Sequence, residues 1–192
     1  MRLFLAVEVP EAHRLSVERA TEPLRPLLRG ARFLPAGSWH VTLKFLGEVP
    51  EGRLDKVCEA AAAAAAGCPV STVTLAELGA FPNVRHPRVL WVGLDDPQGS
   101  LRLLVSRMEK EFAARGWRKE SRPWHPHLTV ARFRVPAPIG DVLGDVLAEG
   151  PLEIDPSPFE VGEMVLFRSH LSPRGASYEA LRRFPLSRPK RL

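Results

Sequence analysis

The chain has 192 residues, of which 45% are hydrophobic and 26% are charged, as in an ordinary globular protein. That length suffices for one sizeable core or two small lobes, and no run of about 18 apolar residues exists that could cross a membrane. The formal charge of +5 favours an anionic partner without indicating where that partner would bind.

The first quarter of the sequence predicts a strand, a helix and two further strands. The opening apolar run resembles a signal peptide only faintly, because Glu8 and Pro10 interrupt it, so we expect a first strand and a cytoplasmic protein. Apolar positions at helical spacing follow, with Gly30 as their stop. The predicted bounds are 2–8 for the first strand, 11–28 for the helix, and 31–34 and 39–46 for the next two strands.

The rest of the chain alternates helices with strands that short turns connect. The predicted helices span 50–67, 97–116 and 138–149, and the predicted strands span 69–79, 88–94, 127–134, 159–169 and 177–186. Cys58 and Cys68 are expected to be reduced thiols, since two cysteines make no disulfide framework. Strands joined by short turns favour an α+β fold with antiparallel sheets.

One motif, His-x-Thr, occurs twice, as His40–Thr42 in "WHVTLKFLG" and as His127–Thr129 in "PWHPHLTVARF". Each copy lies in a predicted strand, where residues two apart point to the same side. The intervening apolar residues should face a helix and leave each His and Thr at an open surface. We therefore predict one bilobal domain over residues 1–192, with two similar lobes that each contribute one motif strand to a shared groove.

Two imidazoles and two hydroxyls are suited to cleavage of a phosphodiester. One imidazole can accept a proton while the other donates one, and threonine hydroxyls can donate hydrogen bonds to anionic oxygens. Such chemistry can proceed by positioning and electrostatics, so a metal is optional. A single His-x-Thr in a strand carries little meaning, because threonine favours strands; the argument depends on the repetition.

A metal site is the competing interpretation of the same residues. His125 and His127 form a His-x-His pair, and His40 could be a third zinc ligand. Against this, Pro126 distorts the pair and no suitably spaced carboxylate stands beside either motif. We therefore expect neither a metal nor a cofactor.

Taken together, "RLFLAVEVP", "HVTLKFLG" and "HPHLTVAR" resemble the 2H phosphoesterase superfamily, and within it the bacterial and archaeal RNA 2',3'-cyclic phosphodiesterases, also called 2'-5' RNA ligase-like proteins. The resemblance implies a bilobal α+β fold with a pseudo-two-fold axis, antiparallel sheets facing a central groove and helices outside. It implies metal-independent hydrolysis of RNA 2',3'-cyclic phosphate ends to 2'-phosphomonoesters. His40 would then be the proton donor and His127 the proton acceptor, with Thr42 and Thr129 binding phosphate.

The same resemblance raises a second activity, reversible 2'-5' joining of RNA ends in the same site. A module that binds RNA ends without chemistry is a competing hypothesis of a different class. The partner would be an RNA with a 2',3'-cyclic phosphate terminus, such as a tRNA fragment, or a small cyclic nucleotide. Nothing in the sequence calls for more than a monomer.

Three basic residues are secondary candidates for substrate binding. Lys44 shares the predicted face of the first motif, whereas Arg132 points away from His127 by strand parity unless a bulge intervenes. Arg168 lies where a late strand could return to the groove. Four aromatic residues are candidates for stacking on bases, although Phe45 is assigned to the core by parity; they are Trp39, Phe45, Trp124 and Tyr178.

Overall fold

The computed structural model describes residues 1–135, 138–150, 152–172 and 175–188, and it has the predicted α+β fold. The strands are β1 (Arg2–Glu8), β2 (Ala31–Phe33), β3 (His40–Glu48), β4 (Ser71–Phe81), β5 (Val89–Asp95), β6 (His127–Phe133), β7 (Phe159–Val161), β8 (Glu163–Ser172) and β9 (Gly175–Pro185). The helices are α1 (Glu11–Thr21), α2 (Leu24–Leu27), α3 (Leu54–Ala65), α4 (Ser100–Ala114) and α5 (Gly140–Ala148). No helix among the described residues is both long and apolar enough to cross a membrane.

Two predicted elements are divided in the structure. The helix expected over 11–28 ends at Thr21, and α2 begins after Pro23, because a proline ring is tolerated in the first turn of a helix but not in its interior. The strand expected over 159–169 is divided at Gly162 into β7 and β8. The two strands pair with different partners: β7 pairs with β4, whereas β8 pairs with β1 and β9.

The strands form one antiparallel sheet in the order β7-β4-β5-β6-β3-β1-β8-β9, with β2 also paired to β6. The two strands that carry the His-x-Thr motifs, β3 and β6, are neighbours at the centre. Each is followed outward by three further strands. Since β7 and β8 are one residue apart in the chain yet lie toward opposite edges, the sheet must curl strongly.

The main core lies between one face of the sheet and helices α3 and α4. On the sheet side, Leu5, Val41 and Leu128 are completely buried, and on the helix side so are Met108 and Phe112. Burial of each such side chain contributes about 1.5–3 kcal/mol relative to exposure. The helices therefore cover one face of the sheet and leave the opposite face of β3 and β6 available as a groove.

Glycines end both core helices, as predicted. Gly67 follows α3 with φ of 74°, and Gly116 follows α4 with φ of 84°. Residues with a Cβ rarely adopt this left-handed conformation, so glycine suits these helix ends.

Cys58 and Cys68 are free buried thiols, in agreement with the expected reduced state.

Candidate active site

The two motifs meet where β3 and β6 pair. Val41 lies opposite Leu128 in this antiparallel ladder, and both side chains are fully buried against the helices. Their neighbours on each strand therefore point to the other face, where the four motif side chains are half-buried. The register sets each histidine opposite the threonine of the other motif.

Both imidazoles are oriented by the same local hydrogen bond. The Nδ1 atom of His40 lies 2.9 Å from the carbonyl oxygen of Ser38, and Nδ1 of His127 lies 2.7 Å from that of His125. A carbonyl only accepts, so Nδ1 carries the proton in each ring. The Nε2 atom of each histidine is therefore the one that can exchange a proton with a substrate.

The two threonine hydroxyls are available for an external acceptor. Apart from the backbone bonds of the sheet, the only hydrogen bond at Thr42 within the described residues uses its carbonyl oxygen, which accepts from Nε1 of Trp124 at 3.0 Å. Neither the Thr42 nor the Thr129 hydroxyl donates to another group in the described part of the chain. Phosphate oxygens placed between the motifs would find two free donors.

Aromatic rings surround His40 on the groove face. The Phe4 ring stacks on the imidazole with centroids 4.8 Å apart, and the Tyr178 ring meets it edge-on at 4.9 Å. The Phe167 ring lies 5.3 Å from that of Phe4 and extends the stack. These contacts fix the plane of the His40 imidazole.

A second aromatic group supports His127. The Phe81 ring contacts this imidazole edge-on at 5.1 Å, and the Trp91 ring lies 6.3 Å away. The indole of Trp91 lies directly over Gly79, where any Cβ would overlap the ring. Gly79 is therefore required for Trp91 to reach His127.

The environment favours the neutral form of both histidines. Burial lowers the pKa of His40 to about 4, and the nearby positive charge of Arg132 contributes. Burial also lowers the pKa of His127, with smaller contributions from His125 and Arg132. In the ligand-free site both rings are consequently neutral at pH 7.

A bulge brings Arg132 into the groove. Leu90 pairs with Ala131 but Trp91 pairs with Thr129, so β6 has one extra residue, Val130. Alternation is reset at a bulge, and Arg132 consequently faces the same side as His127. The exposed guanidinium has no hydrogen bond or ion pair to the described residues. Strict alternation along the strand predicted that Arg132 points away from His127, and that prediction is wrong.

The equivalent bulge in β3 reverses two predicted orientations. Leu5 pairs with Lys44 but Ala6 pairs with Thr42, which leaves Leu43 as the extra residue. Lys44 is consequently buried on the helix side and forms an ion pair with Glu109 of α4, so its predicted place beside His40 is wrong. Phe45, assigned to the core by parity, is instead 66% exposed.

Arg168 does not join the motif residues. Its neighbour Phe167 packs with Phe4 on the groove face, so alternation directs Arg168 to the other side of β8. Arg168 lines a separate cavity of about 300 Å³ with Met1 and Arg2, and none of the four motif residues lines that cavity. The prediction of Arg168 as a groove residue is wrong.

Two of the predicted stacking residues have structural contacts instead. Trp39 is 4% exposed in the main core, and the indole of Trp124 donates a hydrogen bond to the backbone carbonyl of Thr42.

Among the described residues, no three His, Cys, Asp or Glu side chains are grouped to hold a metal, so the three-histidine arrangement is not assembled.

Sequence reasoning missed the rings that hold the imidazoles. Phe4 lies with Ala6 on the second apolar face of the first strand, and the sequence indicated no role for it or for Phe81, Trp91 and Phe167. This apolar second face indicated that Phe4 is covered, because a strand that is apolar on both sides is covered on both sides. For Phe81, Trp91 and Phe167 the strand order was needed, which periodicity does not supply.

Comparison with known proteins identifies the family of this chain. Residues 9–173 match the 2'-5' RNA ligase superfamily. A Thermus thermophilus protein named RNA 2',3'-cyclic phosphodiesterase is 37% identical, over 97% of this chain and 90% of its own length. A protein of the same name from Methanothermobacter thermautotrophicus is 32% identical, over 97% and 99%.

Solved structures show the same architecture. The crystal structure of TT0787 from Thermus thermophilus has a TM-score of 0.78 at 32% identity and covers 97% of this chain and 98% of its own. Escherichia coli LigT complexed with 3'-AMP has a TM-score of 0.77 at 26% identity, with the same coverage. The predicted fold and family are confirmed, and the chain belongs to the 2'-5' RNA ligase superfamily.

Proposed function

We propose that this chain hydrolyses RNA 2',3'-cyclic phosphate ends to 2'-phosphomonoesters, without a metal, through His40 and His127. The observation that carries the proposal is the pair of imidazoles that share one groove and present equivalent Nε2 atoms. The class of enzyme, a phosphodiester hydrolase of the RNA 2',3'-cyclic phosphodiesterase type, follows from relatives that share 30–37% identity over nearly the whole chain.

In the proposed reaction, a water molecule attacks phosphorus while Nε2 of His127 takes its proton. The bond from phosphorus to the 3'-oxygen breaks, and Nε2 of His40 donates a proton to that oxygen. Thr42, Thr129 and the free guanidinium of Arg132 hold the non-bridging oxygens, where negative charge accumulates. Exchange with solvent returns both histidines to their initial protonation states.

Because the pKa of His40 is low, the bound substrate must itself promote protonation of this ring. At pH 7 the free enzyme rarely carries a proton on this ring. A bound phosphate anion offsets the positive charge of Arg132 and raises the pKa of His40. Protonation of the acid is thereby coupled to occupancy of the site.

The proposal is tested with an oligonucleotide ending in a 2',3'-cyclic phosphate, incubated in EDTA. Wild-type protein should produce a 2'-phosphate end, and His40→Ala and His127→Ala should each lose at least about a thousandfold in rate, since each supplies one proton transfer. A variant of either histidine that kept wild-type turnover would contradict the mechanism. Full loss of the wild-type activity in EDTA would contradict metal independence.

Reversible 2'-5' joining of RNA ends is the second candidate, and the superfamily match favours keeping it. An RNA 5'-hydroxyl would replace water beside His127, and the same four motif residues would serve. Water is present at far higher concentration, so we rank hydrolysis first. Adding a 5'-hydroxyl oligonucleotide to the same assay measures the ratio of joined to hydrolysed product.

A further inference from the structure

A cavity of about 650 Å³ opens beside His40, on the side away from β6. It extends from the imidazole past Phe167 and Tyr178 to the first turn of α1, and we call it the His40 cavity. Its volume is within the range of about 300–1,000 Å³ that is typical of small-molecule sites. None of the other three motif residues lines it, so it is distinct from the position of the reacting phosphate.

The proposed reaction determines which part of the substrate reaches this cavity. If His40 protonates the departing 3'-oxygen, the ribose that bears this oxygen lies on the His40 side of the phosphate. The base attached to that ribose then has the His40 cavity as its neighbouring space. This inference therefore rests on the proposed function.

The charges of the lining residues favour an uncharged occupant. Glu8 and Glu163 both accept from Nη1 of Arg183, at 2.6 and 2.5 Å, and Glu160 accepts from Arg188 at 2.8 Å. Arg183 and Arg188 are thus already paired with carboxylates, and Arg14 is the only arginine or lysine among the described residues that line the cavity. A phosphate would find few donors here, whereas a base has no charge to neutralise.

Two lining side chains have unused hydrogen-bonding capacity. Glu11 and Arg14 are three residues apart on α1, so they are neighbours on the helix surface. The Glu11 carboxylate has no bond to the described residues, and Arg14 uses only Nη1, which donates to the carbonyl of Ala36 at 3.3 Å. The buried Nε of Arg14 and Nε1 of Trp39, which also lines the cavity, lack partners within the described chain.

This combination of groups matches one base best. Guanine offers N1–H and N2–H side by side, which a carboxylate can accept together, and its O6 and N7 accept from an arginine. Adenine and cytosine offer a single amino group to the carboxylate, and uracil offers only N3–H. We propose that the His40 cavity binds the base of the terminal nucleotide and selects guanine through Glu11 and Arg14.

The test compares the four nucleoside 2',3'-cyclic phosphates as substrates. Wild-type kcat/KM should be at least about fivefold higher for the guanosine compound than for the uridine compound, since a good bidentate pair discriminates by about that factor or more. Glu11→Gln should lower kcat/KM for guanosine about tenfold, because an amide accepts at only one atom, and leave uridine within about twofold. Asp55→Asn, which removes the same charge from the first turn of α3, is the control and should change neither value.

Two results would overturn the inference: equal kcat/KM for all four bases, or an equal loss on all four in Glu11→Gln. Absence of turnover on every substrate would instead contradict the proposed hydrolysis. In that case, equilibrium binding of 2'-GMP and 2'-UMP to the wild type and to Glu11→Gln still tests whether the His40 cavity selects guanine. A guanosine preference that disappears in the variant supports the base site, and equal binding refutes it.

Discussion

His40 is held in its neutral form by burial beneath aromatic rings and by the charge of Arg132. An imidazole in such a place stabilises the folded chain only while it remains uncharged. The unfolded chain takes up a proton on this ring near pH 6.5, whereas the folded chain does so only near pH 4. The contribution is complete above pH 6.5 and is lost as the pH falls to about 4.

We predict that His40→Gln removes this part of the pH dependence of stability. Between pH 7 and pH 4, the free energy of unfolding of the wild type should fall by about 3 kcal/mol more than that of the variant. Urea denaturation at a series of pH values measures both curves. Parallel curves over this range would show that His40 titrates normally in the folded chain.

Burial lowers the pKa of both motif imidazoles, and Arg132 lowers it further, because a nearby cation disfavours a second positive charge. Arg132→Gln should therefore raise the pKa of His40 and of His127 and weaken binding of inorganic phosphate about tenfold. Titration of the imidazole proton signals by NMR, with and without phosphate, measures both effects. Arg102→Gln, on the outer helix α4, should alter neither, and unchanged imidazole titrations in Arg132→Gln would place the guanidinium elsewhere.

At the scale of single elements, the two motif strands were predictable from the sequence, but the directions of the side chains beyond each threonine were not. Alternation correctly directed both histidines and both threonines to one face. Beyond each threonine a single extra residue reverses the alternation, which exchanges the expected directions of Lys44 and Phe45 and brings Arg132 inward. A phase change was visible in "HLTVARF", where Val130 and Ala131 are consecutive apolar residues, but a bulge requires a partner strand to define it.

The reversed direction of Lys44 leads to a prediction about stability. Lys44→Met leaves the partly buried Glu109 carboxylate without its cation and should cost about 2 kcal/mol. The double variant Lys44→Met with Glu109→Gln should recover most of this loss, and Lys110→Met on the exposed side of α4 should change little. Denaturant titration gives these values, and kcat should stay at the wild-type level throughout. A loss of kcat without a loss of stability would return Lys44 to the groove.

For the whole molecule, the sequence indicated two similar lobes but not which strands belong to each. The sheet places β4, β5 and β7 beside β6, and β1, β8 and β9 beside β3. The last strands of the chain thus complete the half of the sheet that begins with β1, and the crossing occurs at Gly162. Local periodicity carries no information about pairing between distant strands, so this exchange was not predictable.

Interleaved strands predict that the chain unfolds as one cooperative unit. The half of the sheet around β3 combines β1 with the distant strands β8 and β9, and β6 in the other half pairs with β2 from the first quarter of the chain, so neither half should persist alone. Tryptophan fluorescence and far-ultraviolet circular dichroism should give the same urea midpoint, with equal van't Hoff and calorimetric enthalpies. Two separate transitions would mean that the lobes are independent domains.

The wrapping of Phe4 and Phe167 around His40 has a consequence for protein synthesis. Phe167 is synthesised 163 residues after Phe4, yet the rings of both lie against the same imidazole. Until β8 and β9 have been synthesised, β1 lacks its neighbour β8, and His40 lacks its contacts with Phe167 and Tyr178. A nascent chain should therefore remain inactive toward the RNA that surrounds it until its C-terminal strands have emerged from the exit tunnel.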